Sequence, residues 1–232
     1  LDTLFFDFID LAKELQPKVV VAENVKGLLL GNAKKYVREI YKQFDEAGYY
    51  CQHFLLNASK MGVPQRRERV FFICLRKDLA DPFLYSKDMF TTIPKLELNF
   101  NFKETPYGVI EETEAKEGEY KVMPSIKELY PFVKNGKSFS TVHPKKNCFN
   151  FHKTHPEKVL GTLTSNEKAR DGFFNHSVCR SLTKRERFLA QSFPLDYNTL
   201  GRMAAYMVGM SVPPVMTAQI ATEIYNQWLN CL

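Results

Sequence analysis

Val19-Val20-Val21-Ala22 runs without a break into Glu23-Asn24-Val25-Lys26-Gly27, and this junction constrains the chain more than any other stretch. Four apolar residues, three of them β-branched, predict a buried strand of a parallel sheet. Open α/β sheets place their chemistry just beyond the carboxyl ends of such strands. A carboxylate and an amide delivered there, ahead of a glycine, are poorly suited to a core and well suited to a site. Taken alone, the motif reads at least as well as a helix-capping Asn beside a surface Glu.

The flanking periodicity supports a layered α/β arrangement. Leu4, Phe5, Phe8, Leu11, Ala12 and Leu15 recur at helical spacing, and Pro17 closes that helix. Tyr36, Val37, Ile40, Tyr41, Phe44 and Ala47 mark a second amphipathic helix, with Gly48 as its C′ residue. Residues 50–56 and 70–75 read as strands, the latter buried. From residue 86 to about 175 helical periodicity weakens, and Pro, Thr, Asn and Lys become frequent. This stretch reads as a separate small domain with long loops. It carries an acidic patch (Glu111, Glu112, Glu114, Glu117, Glu119) and a basic one that includes Lys145, Lys146 and Lys153, interleaved with aromatic residues. Regular structure resumes near Arg180. Thr183 and Glu186 fit a capping box. Pro213-Pro214 opens a last helix whose apolar face is Met216, Ile220, Ile224 and Trp228.

Composition narrows the function classes. At 232 residues and 44% hydrophobic, the chain can bury one good core and a smaller second one. No apolar run approaches the roughly 18 residues of a membrane span. The five cysteines form no Cys-x-x-Cys pair, so neither disulfides nor a metal site is expected, and a reducing cytoplasm is the expected location. A net charge of +6 suits a polyanionic partner without requiring one. The chain opens on Leu1-Asp2-Thr3-Leu4, with no initiator Met or leader pattern, and is expected to be the middle of something longer.

Three further segments carry chemistry. Gly62-Val63-Pro64-Gln65-Arg66-Arg67-Glu68-Arg69 places three arginines at the mouth of a buried strand. Such charges are costly there unless something anionic or polar meets them, and guanidinium forks suit phosphates and a base carbonyl. The competing reading is a charged gatekeeper beside an aggregation-prone strand. Residues 180–194 read by themselves as a well-capped structural helix. Val208-Gly209-Met210-Ser211-Val212-Pro213-Pro214 is a glycine turn feeding a helix N-terminus, able to hold a polar ligand group on backbone N–H donors.

In their order and spacing, these four segments together resemble the cytosine-C5 DNA methyltransferase family. Glu23-Asn24-Val25 matches its Glu-Asn-Val motif, and Gln65, Arg67 and Arg69 match its Gln-x-Arg-x-Arg motif. Residues 180–194 match its Arg-x-Leu-Thr-x-Arg-Glu…Gln-x-Phe-Pro segment, and 209–214 its closing Gly-Asn-Ser-Val-Pro-Pro turn. The resemblance implies an α/β fold, a partial Rossmann-like methyltransferase sheet with a second, smaller target recognition domain. Residues 1–85 and 176–232 would be catalytic and 86–175 would recognise the target. It implies methyl transfer from S-adenosylmethionine to C5 of cytosine in duplex DNA, by a covalent mechanism on a flipped base. Glu23 would contact N3 of that base and Arg69 its C2 carbonyl oxygen, with Asn24 shaping the pocket and Arg67 organising it. Met210, Ser211 and Val212 would meet the cofactor. Gln65, Arg66, Lys145, Lys146, Lys153 and the Thr162-Leu163 pair would serve the DNA.

Two departures qualify this. The family's Phe-x-Gly-x-Gly-Gly cofactor loop and Pro-Cys nucleophile loop have no counterpart in these residues. Transfer requires a thiolate to add at C6, so this chain is expected to be inactive without the missing N-terminal part of the enzyme, in cis or as a separate subunit. Met210 stands where the family usually has Asn, and a thioether donates no hydrogen bond. The same motifs leave open a non-catalytic sequence-specific DNA-binding subunit, or an RNA cytosine-C5 methyltransferase.

Overall fold

The computed structural model describes residues 3–84, 93–165 and 172–232. The chain forms two compact units: Leu1–Asn57, Glu68–Asn99 and Ile220–Leu232 make the first, Ala58–Arg67 and Phe100–Gln219 the second.

In the first unit, α1 (Leu4–Leu15) ends where Gln16 turns left-handed at φ 47°, ahead of Pro17. The helix buries Ile9 and Ala12, while Leu4, Phe8, Leu11 and Leu15 are exposed. Most of the stripe that periodicity marks as core-facing therefore lies on the surface. β1 (Val19–Val25) leads through α2 (Lys34–Glu46) to β2 (Tyr49–Asn57), and β3 (Glu68–Arg76) follows. Gly48, at φ 89°, ends α2 as its sequence predicts. The sheet order is β1-β3-β2, with β3 antiparallel to both neighbours. The expected parallel pairing of β1 is thus corrected. The link Ala58–Arg67 is too short for the crossover of a dozen or more residues that parallel strands need, so β3 turns back and inserts between β1 and β2. β1 is also buried on one face only: Val20 and Ala22 are inside, Val21 and Val25 exposed. Residues 70–75 of β3 are buried throughout. Val20, Val70, Phe72 and Cys74 pack with Ile9, Ile40, Phe44 and Tyr49 as the core of this unit. A single turn, α3 (Asp81–Leu84), follows β3. The expected domain boundary at 85/86 lies outside the described residues.

The second unit contains α4 (Pro124–Leu129), a short parallel pair β4 (Phe151–Lys153) and β5 (Gly172–Phe174), α5 (Lys184–Ala190), α6 (Ala204–Met210) and the start of α7 (Pro214–Gln227). The capping box forms: Thr183 accepts from the Glu186 N–H, and Glu186 accepts from the Thr183 N–H. The four apolar residues expected on the last helix are buried. One core joins Tyr107, Ile110, Leu160 and Leu163 to Leu182, Phe188, Phe193 and Val208; another holds Ile126, Tyr130, Val133, Phe139, Phe151 and Phe174. The first of these draws on both residues 86–175 and residues 176–219. The packing units therefore follow other limits than 1–85, 86–175 and 176–232, and the second is the larger, because α5 and α6 bury their apolar faces against the loop-rich segment. None of the helices is long and apolar enough to cross a membrane, among the described residues.

Candidate functional site

The first unit brings Glu23 and Arg69 together. Glu23 lies opposite Phe71 and Val25 opposite Arg69, so the two charged side chains are diagonal neighbours on one face of the sheet. Arg69 Nε stands 2.9 Å from Glu23 Oε1, with side chains 14% and 33% exposed respectively. Arg69 Nη1 also donates to the Glu68 carbonyl at 2.8 Å. Burial pulls the Arg69 guanidinium below its ordinary range, and the Glu23 carboxylate works against that pull. Asn24 Oδ1 accepts from the Val25 N–H at 2.8 Å, turning the amide back on its own backbone. Beside this pair opens a cleft of about 380 Å³, walled by Phe5, Phe8 and Val21 and ending at Glu23 and Asn24.

The Gln-x-Arg-x-Arg segment is divided, with Arg69 in the first unit and Gln65 and Arg67 in the second. Arg67, expected to be catalytic, is buried at 2% exposure. Its Nη1 donates to Leu163 O and its Nη2 to Gly209 O, each at 2.9 Å. Gln65, expected at the DNA, is fully buried; its Oε1 accepts from the Leu163 N–H at 2.8 Å and its Nε2 donates to Gln191 Oε1 at 2.5 Å. Enclosed by protein partners, neither side chain is open to a group entering from solvent.

The surface positions are different. Arg66 is exposed and pairs with Glu104 at 3.2 Å. Thr162, also exposed, donates to the Arg66 carbonyl at 2.9 Å. Both line a cleft of about 540 Å³ whose rim also carries Glu104, His152, His155 and Lys158. Glu104 accepts from Ser59 Oγ at 2.8 Å, and that bond, with Arg66 and Lys60 nearby, holds its carboxyl below the ordinary range against the cost of burial. Glu104 has no sequence signal, because its partners lie about forty residues away in the chain. Lys145 and Lys146 are exposed as expected. Lys153 is not: it is buried, with its Nζ 4.0 Å from the Tyr130 ring centroid, and burial lowers its pKa. Leu163 is likewise enclosed in a core. Among the seven expected DNA contacts, Gln65, Lys153 and Leu163 are thus buried.

The 209–212 segment also differs from its sequence reading. Gly209 and Met210 close helix α6 instead of forming a turn. The missing Cβ of Gly209 serves close approach, since one placed there would meet Ser165 N at 2.1 Å. Met210 is 63% exposed. Ser211 is half-buried, its carbonyl and Oγ accepting from Gln191 Nε2 at 2.8 and 3.2 Å. An exposed thioether beside reachable backbone groups fits contact with one side of a partly apolar small molecule, S-adenosylmethionine included.

None of the thiols with a displaced pKa is poised as a thiolate. Burial raises Cys74, Cys148 and Cys179, and the neighbouring Cys51 raises Cys74 further.

The family model for C-5 cytosine-specific DNA methylase matches residues 1–226. The chain is 27% identical over 95% of its length to Type II methyltransferase M.NgoFVII of Neisseria gonorrhoeae, and 31% identical over 98% to Type II methyltransferase M1.HphI of Haemophilus parahaemolyticus. It spans 62% of the length of each relative. Its fold is shared with the Dnmt2 methyltransferase of S. pombe, at TM-score 0.63 and 14% identity over 97% of this chain and 72% of that one. It is shared also with the methyltransferase EhMeth of Entamoeba histolytica, at TM-score 0.60 and 17% identity over 97% and 69%.

Proposed function

Because the chain belongs to the C-5 cytosine-specific DNA methylase family, we propose that it forms the later part of an enzyme that methylates C5 of a cytosine flipped out of duplex DNA. The pairing of Glu23 with Arg69 carries this reading. Addition at C6 of the ring builds charge that N3 and the C2 carbonyl oxygen must absorb. A carboxyl group that can deliver a proton to N3 and a guanidinium that can donate to the carbonyl oxygen, side by side at a strand end, meet both demands. Both side chains keep partial exposure, so a base can replace each as the other's partner. Asn24, folded onto its own backbone, borders the space they define.

Three raised thiols support a nucleophile supplied from outside these residues. The exposed stripe of α1, with Val21 and Val25 on the open face of β1, is the surface on which that further part of the enzyme docks. S-adenosylmethionine supplies the methyl group when bound, with Met210, Ser211 and Val212 at one side of it. Residues 86–175 act as the target recognition domain. Lys145 and Lys146 within it, and Arg66 outside it, take phosphates, and Thr162 approaches the duplex from a backbone that Gln65 and Arg67 hold in place. The setting is a bacterial cytoplasm with the nucleoid as workplace; the relatives named above come from bacteria.

The test is labelled-methyl transfer to mixed-sequence duplex DNA by the full-length protein, by this chain alone and by full-length Glu23→Gln. Transfer only by the full-length wild type supports the reading. DNA binding without transfer by any form replaces it with a binding subunit, and a preference for tRNA in competition replaces it with an RNA methyltransferase.

A further inference from the structure

Residues 162–163 and 209–211 are tied together by a closed ring of hydrogen bonds with a fixed direction. The Leu163 N–H donates to Gln65 Oε1 at 2.8 Å; Gln65 Nε2 donates to Gln191 Oε1 at 2.5 Å; Gln191 Nε2 donates to the Ser211 carbonyl at 2.8 Å. Arg67 closes the ring, reaching the Leu163 carbonyl and the Gly209 carbonyl at 2.9 Å each. The backbone of Thr164 and Ser165 presses against Gly209 so closely that no Cβ fits.

The order of donors leaves no freedom. A backbone N–H at Leu163 can only donate, so Gln65 must present its oxygen there and its NH₂ to Gln191. Gln191 must then present its oxygen to Gln65 and its NH₂ to Ser211. Reversing either amide sets donor against donor in a buried place. Both ends of the relay are thus backbone groups, and each amide has one orientation. A shift of the Ser211 carbonyl is felt at the Leu163 N–H, and the reverse.

We propose that Gln191 is a positioning residue coupling the 209–212 segment to the Thr162-Leu163 segment, so that a cofactor at the first and a nucleic acid at the second strengthen each other's binding. This rests on the placement of cofactor and DNA proposed above. Coupling through a hydrogen-bonded network is reciprocal: whatever factor DNA adds to cofactor affinity, the cofactor adds to DNA affinity.

The experiment uses the full-length protein. It measures the Kd of S-adenosylhomocysteine, which carries no methyl group to transfer, with and without mixed-sequence duplex DNA, in wild type and in Gln191→Met. The wild type should show coupling of about fivefold or more, within the usual range for linked sites, and the variant less than about twofold. A purely structural role for Gln191 would weaken both ligands and leave the ratio unchanged, and that outcome overturns the proposal. Wild-type protein that binds both ligands without coupling overturns it too. Wild-type protein that binds neither overturns the functional reading together with it. Should Gln191→Met not fold, hydrogen exchange at the Leu163 amide decides. Slower exchange on adding S-adenosylhomocysteine to the wild type supports the relay, and unchanged exchange overturns it.

Discussion

Two arginine–glutamate pairs in this chain have similar distances and opposite environments. In the second unit, Arg180 grips Glu186 with two parallel bonds of 2.8 Å, and the side chains are 2% and 0% exposed. Every remaining direction is filled. Arg180 also donates to the carbonyls of Ala115, Ser181 and Glu112, while Glu186 accepts from Tyr107 and from the Glu112 and Thr183 N–H groups. Burial alone would raise the Glu186 carboxyl, but the Arg180 fork and the backbone donors outweigh it and hold the group below its ordinary value. In the first unit, Arg69 meets Glu23 through one contact of 2.9 Å, with the carboxylate a third exposed. A closed, saturated pair holds a fold, and removing one partner strands a buried charge. An open, unsaturated pair contributes little stability and is free to exchange partners. Both pairs occupy motif positions; only the surroundings tell which suits architecture and which suits the proposed site.

Substitutions can break that contrast. Arg180→Ala should cost about 3–5 kcal/mol of unfolding free energy by denaturant titration, as removal of one member of a buried pair does. A loss as small as that of a surface pair would erase the distinction. Glu23→Gln in the full-length enzyme should lower methyl transfer by roughly 10²–10⁴-fold, the usual worth of a positioned proton donor. Its stability should move by less than about 1 kcal/mol. Gly209→Ala should cost about 1–3 kcal/mol, the range for overpacking, because backbone atoms occupy the space a Cβ needs. Arg66→Ala should reduce the slope of log affinity for DNA against log salt by about 1, leaving the fold intact. The smallest effect is in pH. Because the folded Glu186 carboxyl is held below its ordinary 4.5, its ionised form stabilises the fold above that value. That contribution is lost as the pH falls through the folded value. Unfolding titrations above and below pH 4.5 should therefore show a decline in wild type that is smaller in Glu186→Gln, where Glu104 still contributes its share.

Much of the local structure was legible in the residues. The 70–75 run reads as a buried strand because nothing in it is polar, and Thr183 with Glu186 reads as a cap because both halves of a capping box lie three residues apart. The motifs Glu23-Asn24-Val25 and Gln65-Arg66-Arg67-Glu68-Arg69 were visible as misplaced polarity beside apolar strands. What they do individually was not. Arg67 and Arg69 are two residues apart and chemically identical, yet one is enclosed by carbonyls and the other faces a cleft-side carboxylate. Lys153 reads as one more member of a basic run, and the Tyr130 ring beneath it makes it part of a core.

The sequence by itself determined α1, α2, α5, α7 and the strands of the first unit, the family and the groups proposed to carry chemistry, because periodicity and side-chain type are properties of the local chain. Tertiary structure alone decided the antiparallel insertion of β3, the exposed stripe of α1 and the enclosure of Gln65, Arg67 and Lys153. It also decided the relay from Leu163 to Ser211. Each of these depends on which distant residue arrives beside a given side chain, and burial and hydrogen-bond saturation are set by that neighbour.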